Sequence, residues 1–272
     1  MAVSTGSVIL SPDYRLAPEH IFPAAIDDCY DSVNYVHENR ETLQVSKIII
    51  TGDSAGGHLS ITTALRVVNT GRVGLAGVLP IYPVTQLVSV DLPSYKKSDN
   101  YLLSRYQMAG FFSSYLTGSD QMIESIMAGN LTKHVVSEES SLEKYFGRHE
   151  SLDSDITLNF DPFDFAVSPL LASKGLLEKY PPSIIYVSEH DVLRDDGALF
   201  HQRLNILNNI LSFMNKIYRL VDIGKESQLV EWTGAIHAQV ALSAQFAPFE
   251  ADASATRQIN SYFNDLKRLI NS

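Results

Sequence analysis

The stretch Thr51-Gly52-Asp53-Ser54-Ala55-Gly56-Gly57 sets a serine between two glycines, directly after the apolar run Lys47–Thr51 and before a helix-like segment. A serine at a strand-to-helix junction stands clear of both elements, and small neighbours leave room for the strained backbone there. The chemistry open to Ser54 is nucleophilic. Once a base removes its proton, the hydroxyl can attack an acyl carbon, and backbone N–H groups can hold the oxyanion that forms. A purely structural tight turn could use the same five residues, so the partners decide. Of eight histidines, His20, His58, His134 and His201 fit the default of a structural or surface imidazole. Asp195 and Asp196 open a helix-like segment, where first-turn carboxylates complement the helix dipole.

Positioning such groups takes an alternation of strands and helices. Ser7–Ser11, Lys47–Thr51, Leu75–Pro83 and Ser183–Glu189 read as strands. Pro23–Glu38 reads as a helix with Ile26, Tyr30, Val33 and His37 on one face, and Ala55 to about Val68 as another. Leu193–Leu207 and the C-terminal Ala253–Ser272 complete the set. Apolar, unalternated strands between helices predict an α/β fold, a mostly parallel sheet covered on both faces. Residues of about 87–165 break the rhythm with two short helices (Ser104–Leu116 and Gln121–Gly129) and a polar, acidic stretch. An insertion there reads as a helical cap over the carboxyl ends of the strands, within a single domain spanning 1–272. Its aromatics Tyr101, Tyr106, Phe111, Phe112 and Tyr115 either wall a pocket or pack the cap helices together.

Bulk composition narrows the partners. The 272 residues are 45% hydrophobic and 19% charged, a globular balance. The net charge of −10 with no basic stripe argues against nucleic acid. The single cysteine, Cys29, excludes an internal disulfide or a Cys-rich zinc site and reads as a small core residue. No apolar stretch is long enough to span a bilayer, and the first ten residues do not form a signal peptide. The sequon at Asn130 matters only in a secretory compartment.

The segments Gly52–Gly57 and Asp13–Asp28 (DYRLAPEHIFPAAIDD) resemble the hormone-sensitive-lipase-like branch of the α/β-hydrolase superfamily. Asp91–Tyr95, Leu102–Leu116, Val167–Leu176 and Glu189–Gly197 are similar to its arylacetamide deacetylase and neutral cholesterol ester hydrolase group. The resemblance implies an α/β-hydrolase fold and a Ser–His–Asp esterase acting on small acyl esters or aryl amides, without metal or cofactor. It implies Ser54 as nucleophile and Asp191, after the strand Ser183–Glu189, as the acid that orients the base. His237, in a Gly-x-x-His turn, is implied as that base, whereas His190 stands in the wrong order for it. The Ala55 N–H is implied as an oxyanion donor.

Two features depart from that pattern. The resembling proteins carry an HGGG-type oxyanion loop upstream of the segment matching Tyr14–Glu19, whereas the Gly-Gly pair of this chain lies in Gly56-Gly57. The expectation is therefore a partial domain, lacking the first strands and that loop, from a truncated gene model or a longer enzyme. Residues of about 208–227 form an extra stretch between Asp191 and His237, read as a splicing artefact or a genuine excursion. Two readings compete with the esterase: a non-catalytic binding module of the same fold, and an inactive fragment. As written the chain reads as soluble. The resembling group is anchored in the endoplasmic reticulum membrane by an N-terminal segment, here expected to be missing.

Overall fold

The computed structural model describes residues 5–99, 101–131, 159–162, 164–205, 227–237 and 253–271. Four parallel strands form one sheet in the order β1 (Ile49–Asp53), β2 (Gly77–Ile81), β3 (Ser183–His190) and β4 (Ser227–Ile236). The helices are α1 (Ala24–Glu38), α2 (Ala55–Thr70), α3 (Pro93–Lys97), α4 (Arg105–Thr117), α5 (Ile123–Met127), α6 (Lys174–Leu177), α7 (194–205) and α8 (Ala253–Asn271). Leu193–Leu207 was expected as one helix, and its last two residues lie outside the described residues, as do His134 and 206–226.

Alternate residues of β2 and β3 enter different cores, as a period of two requires. Val78, Ile185 and Val187 join Ile61 and Leu65 of α2, Phe112 of α4 and Phe200 of α7 in one cluster. Leu79, Ile81, Ile184 and Tyr186 face the other way and pack with Trp232, Tyr262 and Leu266, the last two from α8. Both faces of the sheet are thus buried, which is why these strands read as continuous apolar runs. The α4 helix starts at a capping box in which Ser104 and Gln107 satisfy each other's backbone N–H groups. It ends at Gly118, whose φ of +73° is the left-handed conformation a glycine adopts without a Cβ penalty.

The expected strand Ser7–Ser11 is not one. Residues 7–11 have no regular structure, and Val8, Ile9 and Leu10 are exposed. A strand needs a ladder partner, and β1 pairs with β2 alone among the described strands. The aromatics of the expected cap divide. Phe112 is core, Tyr115 packs edge-on against Phe22 and His58, and Tyr106 and Phe111 face outward. Tyr101, also exposed, stacks on His190 at 5.0 Å.

Candidate active site

Strand register builds the site. Asp53 stands opposite Ile81, Ile81 opposite Tyr186, and His190 opposite Ile236 across a β-bulge. β1 and β2 therefore end level with each other, as do β3 and β4, which run four residues further, and the residue after each end is Ser54, Tyr82, Asp191 or His237. A parallel sheet offers its ligands this edge, because all its carboxyl ends open onto one crevice.

Ser54 is the single residue between β1 and α2, at φ +56° and ψ −117°. Its N–H donates to the Ile81 carbonyl at 2.9 Å, which ties the junction to the end of β2. The sharp turn explains one glycine directly: a Cβ on Gly52 would lie 2.3 Å from the Gly56 carbonyl oxygen. The second close approach is made by Gly57, where a Cβ would stand 3.0 Å from Pro83 Cα. At Gly56 a Cβ meets nothing within 4 Å among the described residues. Ala55, exposed, opens α2, so its N–H belongs to the first turn, whose amides lack acceptors within the helix.

His237 brings the three expected residues together. Its Nδ1 lies 2.8 Å from Asp191 Oδ2 and its Nε2 lies 2.8 Å from Ser54 Oγ. A carboxylate only accepts, so Nδ1 carries the proton, and Nε2 is left to accept the serine hydroxyl. Asp191 is 1% exposed, and its other oxygen accepts the Leu193 N–H at 2.9 Å. That bond ties the carboxylate to the turn that follows β3. Such an arrangement can move a proton from Ser54 to the imidazole while Asp191 holds the imidazolium.

Asp195 and Asp196 do more than complement a helix dipole. Asp195 Oδ2 accepts the Ser94 N–H of α3 at 2.8 Å, and the Ser94 hydroxyl donates to the Val192 carbonyl at 2.6 Å. Asp196 is fully buried, and its Oδ1 accepts the Thr85 N–H at 3.1 Å and the Thr85 hydroxyl at 3.3 Å. Burial pushes its carboxyl up to about 7, against the opposing pull of the Thr85 N–H, the Tyr95 phenol and the Thr85 hydroxyl. The loop carrying Asp191 is thus laced to the chain leaving β2. His58, one turn beyond Ser54, is buried with Nδ1 3.2 Å from the Val84 carbonyl, and burial lowers its pKa to about 4. It is a neutral structural imidazole, in keeping with its sequence default. Tyr82 escaped the sequence reading. The only signal was its place near the end of the apolar run Leu75–Pro83, which was expected as a strand throughout.

The glycine-flanked serine turn at the carboxyl edge of a parallel sheet covered by helices fits one family, and the chain belongs to it: the family is described as "alpha/beta hydrolase fold", and its model matches residues 1–137. Among named proteins it is similar to mouse (Mus musculus) neutral cholesterol ester hydrolase 1, at 31% identity over 230 residues, 75% of this chain and 56% of that protein. It is also 30% identical to rabbit (Oryctolagus cuniculus) arylacetamide deacetylase over 221 residues, 72% of this chain and 55% of that protein. The chain thus spans little more than half the length of these relatives. Among solved structures, a hyperthermophilic esterase from Pyrobaculum calidifontis superposes with a TM-score of 0.69 at 24% identity, over the whole of this chain and 67% of its own. Carboxyl esterase 2 from Tuber melanosporum gives 0.70 at 21%, over 98% and 68%. These last two likenesses establish the fold.

Proposed function

We propose that this chain carries the catalytic centre of a serine carboxylic-ester hydrolase, with Ser54 as nucleophile, His237 as general base and acid, and Asp191 as its orienting carboxylate. The observation that carries the reading is the pair of 2.8 Å contacts joining Asp191 to His237 and His237 to Ser54. In the proposed reaction Ser54 Oγ bonds to the acyl carbon as its proton passes to His237 Nε2. His237 then protonates the leaving alcohol or amine, and the acyl group stays on Ser54. Water, deprotonated by the same imidazole, releases the acid. The Ala55 N–H, at the positive end of α2, is the oxyanion donor in this reading; one such donor is worth about 10²–10³ in rate. No metal or cofactor enters the scheme. The names of the relatives support acyl esters or aryl amides as the substrate class.

The test is covalent labelling of the 272-residue chain with a fluorophosphonate, beside Ser54→Ala and His237→Ala. Labelling that requires both residues is expected. A folded chain that fails to label, or that labels equally after His237→Ala, refutes the reading and favours a binding module.

A further inference from the structure

Each strand of the sheet places one residue at its carboxyl end, and three of the four belong to the proposed catalytic centre. The fourth is Tyr82, and three observations set it apart. Its φ is +34°, a conformation in which a bulky side chain is a genuine outlier, and it precedes Pro83, which restricts it further. Its side chain is fully buried, with the ring centroid 4.7 Å from that of His237 at an interplanar angle of 57°. Its hydroxyl donates to Asp53 Oδ2 at 3.3 Å, on the residue immediately before Ser54.

The backbone around Tyr82 is pinned on both sides. The Tyr82 N–H donates to the Tyr186 carbonyl of β3 at 2.7 Å, and the preceding carbonyl, of Ile81, accepts the Ser54 N–H. Strain of this sort persists only where neighbouring contacts over-determine it. Here the neighbours are the nucleophile's own backbone and the adjacent strand. Trp232 of β4 braces the ring from another side, edge-on at 6.5 Å, and itself packs on Tyr186 at 5.0 Å. His237 is therefore held at Nδ1 by Asp191, meets Ser54 at Nε2, and has an aromatic ring packed beside it, tilted by 57°.

We infer that Tyr82 is a positioning residue: its ring fixes the plane of the His237 imidazole, and its bent backbone sets the Ser54 amide relative to that plane. The inference rests on the catalytic reading above and deepens it. Two hydrogen bonds, at Nδ1 and Nε2, hold both nitrogens of the imidazole but set its tilt about the line joining them only loosely, and a ring packed beside it at 4.7 Å limits that tilt. The ring, more than the hydroxyl, carries the effect.

The experiment compares Tyr82→Phe, Tyr82→Leu and the volume-filling Tyr82→Met in the full chain, each checked for folding by near-ultraviolet circular dichroism. Two readouts are taken: the second-order rate of fluorophosphonate labelling, and the downfield proton resonance of His237 Nδ1–H, assigned by its loss in His237→Ala. Tyr82→Phe is expected to hold the labelling rate within about threefold. Tyr82→Leu and Tyr82→Met are expected to slow it by about a hundredfold, the scale of a 1 Å misplacement, and to broaden the Nδ1–H resonance. Folded Leu or Met variants that keep both rate and resonance overturn the inference. Equal losses in Phe and Leu also overturn it, because the hydroxyl would then carry the effect. If the wild-type chain does not label, the catalytic reading fails, and the resonance in the same variants still decides the role of Tyr82.

Discussion

Two fully buried titratable groups should give this protein opposite pH dependences that cancel in the wild type. Asp196 has its carboxyl raised from 3.8 to about 7 by burial, so the folded state binds its proton more tightly than the unfolded chain does. Its contribution to stability is complete below pH 4 and is lost as pH rises through about 7. Across about three pH units at ~1.4 kcal/mol each, the loss is on the order of 4 kcal/mol. His58 runs the other way. Burial lowers it from 6.5 to about 4, so the unfolded chain takes the proton first, and stability falls on acidification from 6.5 towards 4, by about 3 kcal/mol. Between pH 4 and 7 these two nearly balance, leaving a net drift of about 1 kcal/mol from the pair; His201, also lowered from 6.5 by burial, adds in the direction of His58 and does so equally in all three proteins. Removing either exposes the other. Asp196→Asn keeps an acceptor for Thr85 and should leave a protein whose stability rises by about 3 kcal/mol from pH 4 to 7. His58→Asn keeps a donor for the Val84 carbonyl and should leave one whose stability falls by about 4 kcal/mol over the same range. The assay is urea unfolding at each pH followed by Trp232, the only tryptophan and 3% exposed, so its emission reports loss of the core. Asp28, which Arg15 holds down to about 2 through its side-chain hydrogen bond, titrates below this window and does not confuse it. Three parallel profiles would refute the reasoning, because neither group would then differ between the folded and unfolded chains.

Gly52→Ala should be the most damaging small substitution at the elbow. With a Cβ 2.3 Å from the Gly56 carbonyl oxygen the junction must open, and labelling of Ser54 should fall about a hundredfold, whereas Gly56→Ala should label within about threefold of wild type; equal effects would show that the turn is not close-packed. Arg105→Ala should lower stability by about 1–2 kcal/mol and make the segment before α4 easier to cleave in limited proteolysis, because Arg105 donates to the Val90 carbonyl at 3.0 Å and to Asp91 at 2.7 Å. An unchanged urea midpoint and cleavage pattern would count against that anchor.

The sequence made some features legible for local reasons and hid others for non-local ones. Helix α1 was visible to within a residue because Ile26 and Tyr30 repeat at helical spacing and the buried face follows that spacing. The junction at Ser54 was visible because an apolar run, a glycine-flanked serine and a helix pattern are contiguous. Ser7–Ser11 misled for the same local reason: its composition is strand-like, but a strand exists only as a member of a ladder. The role of Gly57 was hidden because its constraint comes from Pro83, twenty-six positions away in sequence. Asp195 and Asp196 invited a dipole reading because their partners, Ser94 and Thr85, are about a hundred positions distant. Tyr82 read as one more apolar strand residue because its contacts, with His237 and Asp53, come from the ends of other strands.

Register also explains how groups 183 positions apart in sequence, Ser54 and His237, come within 2.8 Å. Each strand's carboxyl end is set by its ladder to the next: β1 against β2 fixes Ser54 beside Tyr82, and β3 against β4 fixes Asp191 beside His237. The β2–β3 pairing, Ile81 against Tyr186, then joins the half of the site that carries Ser54 to the half that carries His237. At that seam three contacts converge, because Ile81 accepts from Ser54, Tyr82 donates to Tyr186, and the Tyr82 ring meets His237. A slip of one residue between β2 and β3 would turn each side chain of the slipped strand to the wrong core and would also separate His237 from Ser54. The same apolar alternation that buries Val78 on one face and Leu79 on the other therefore fixes the distance between Ser54 and His237.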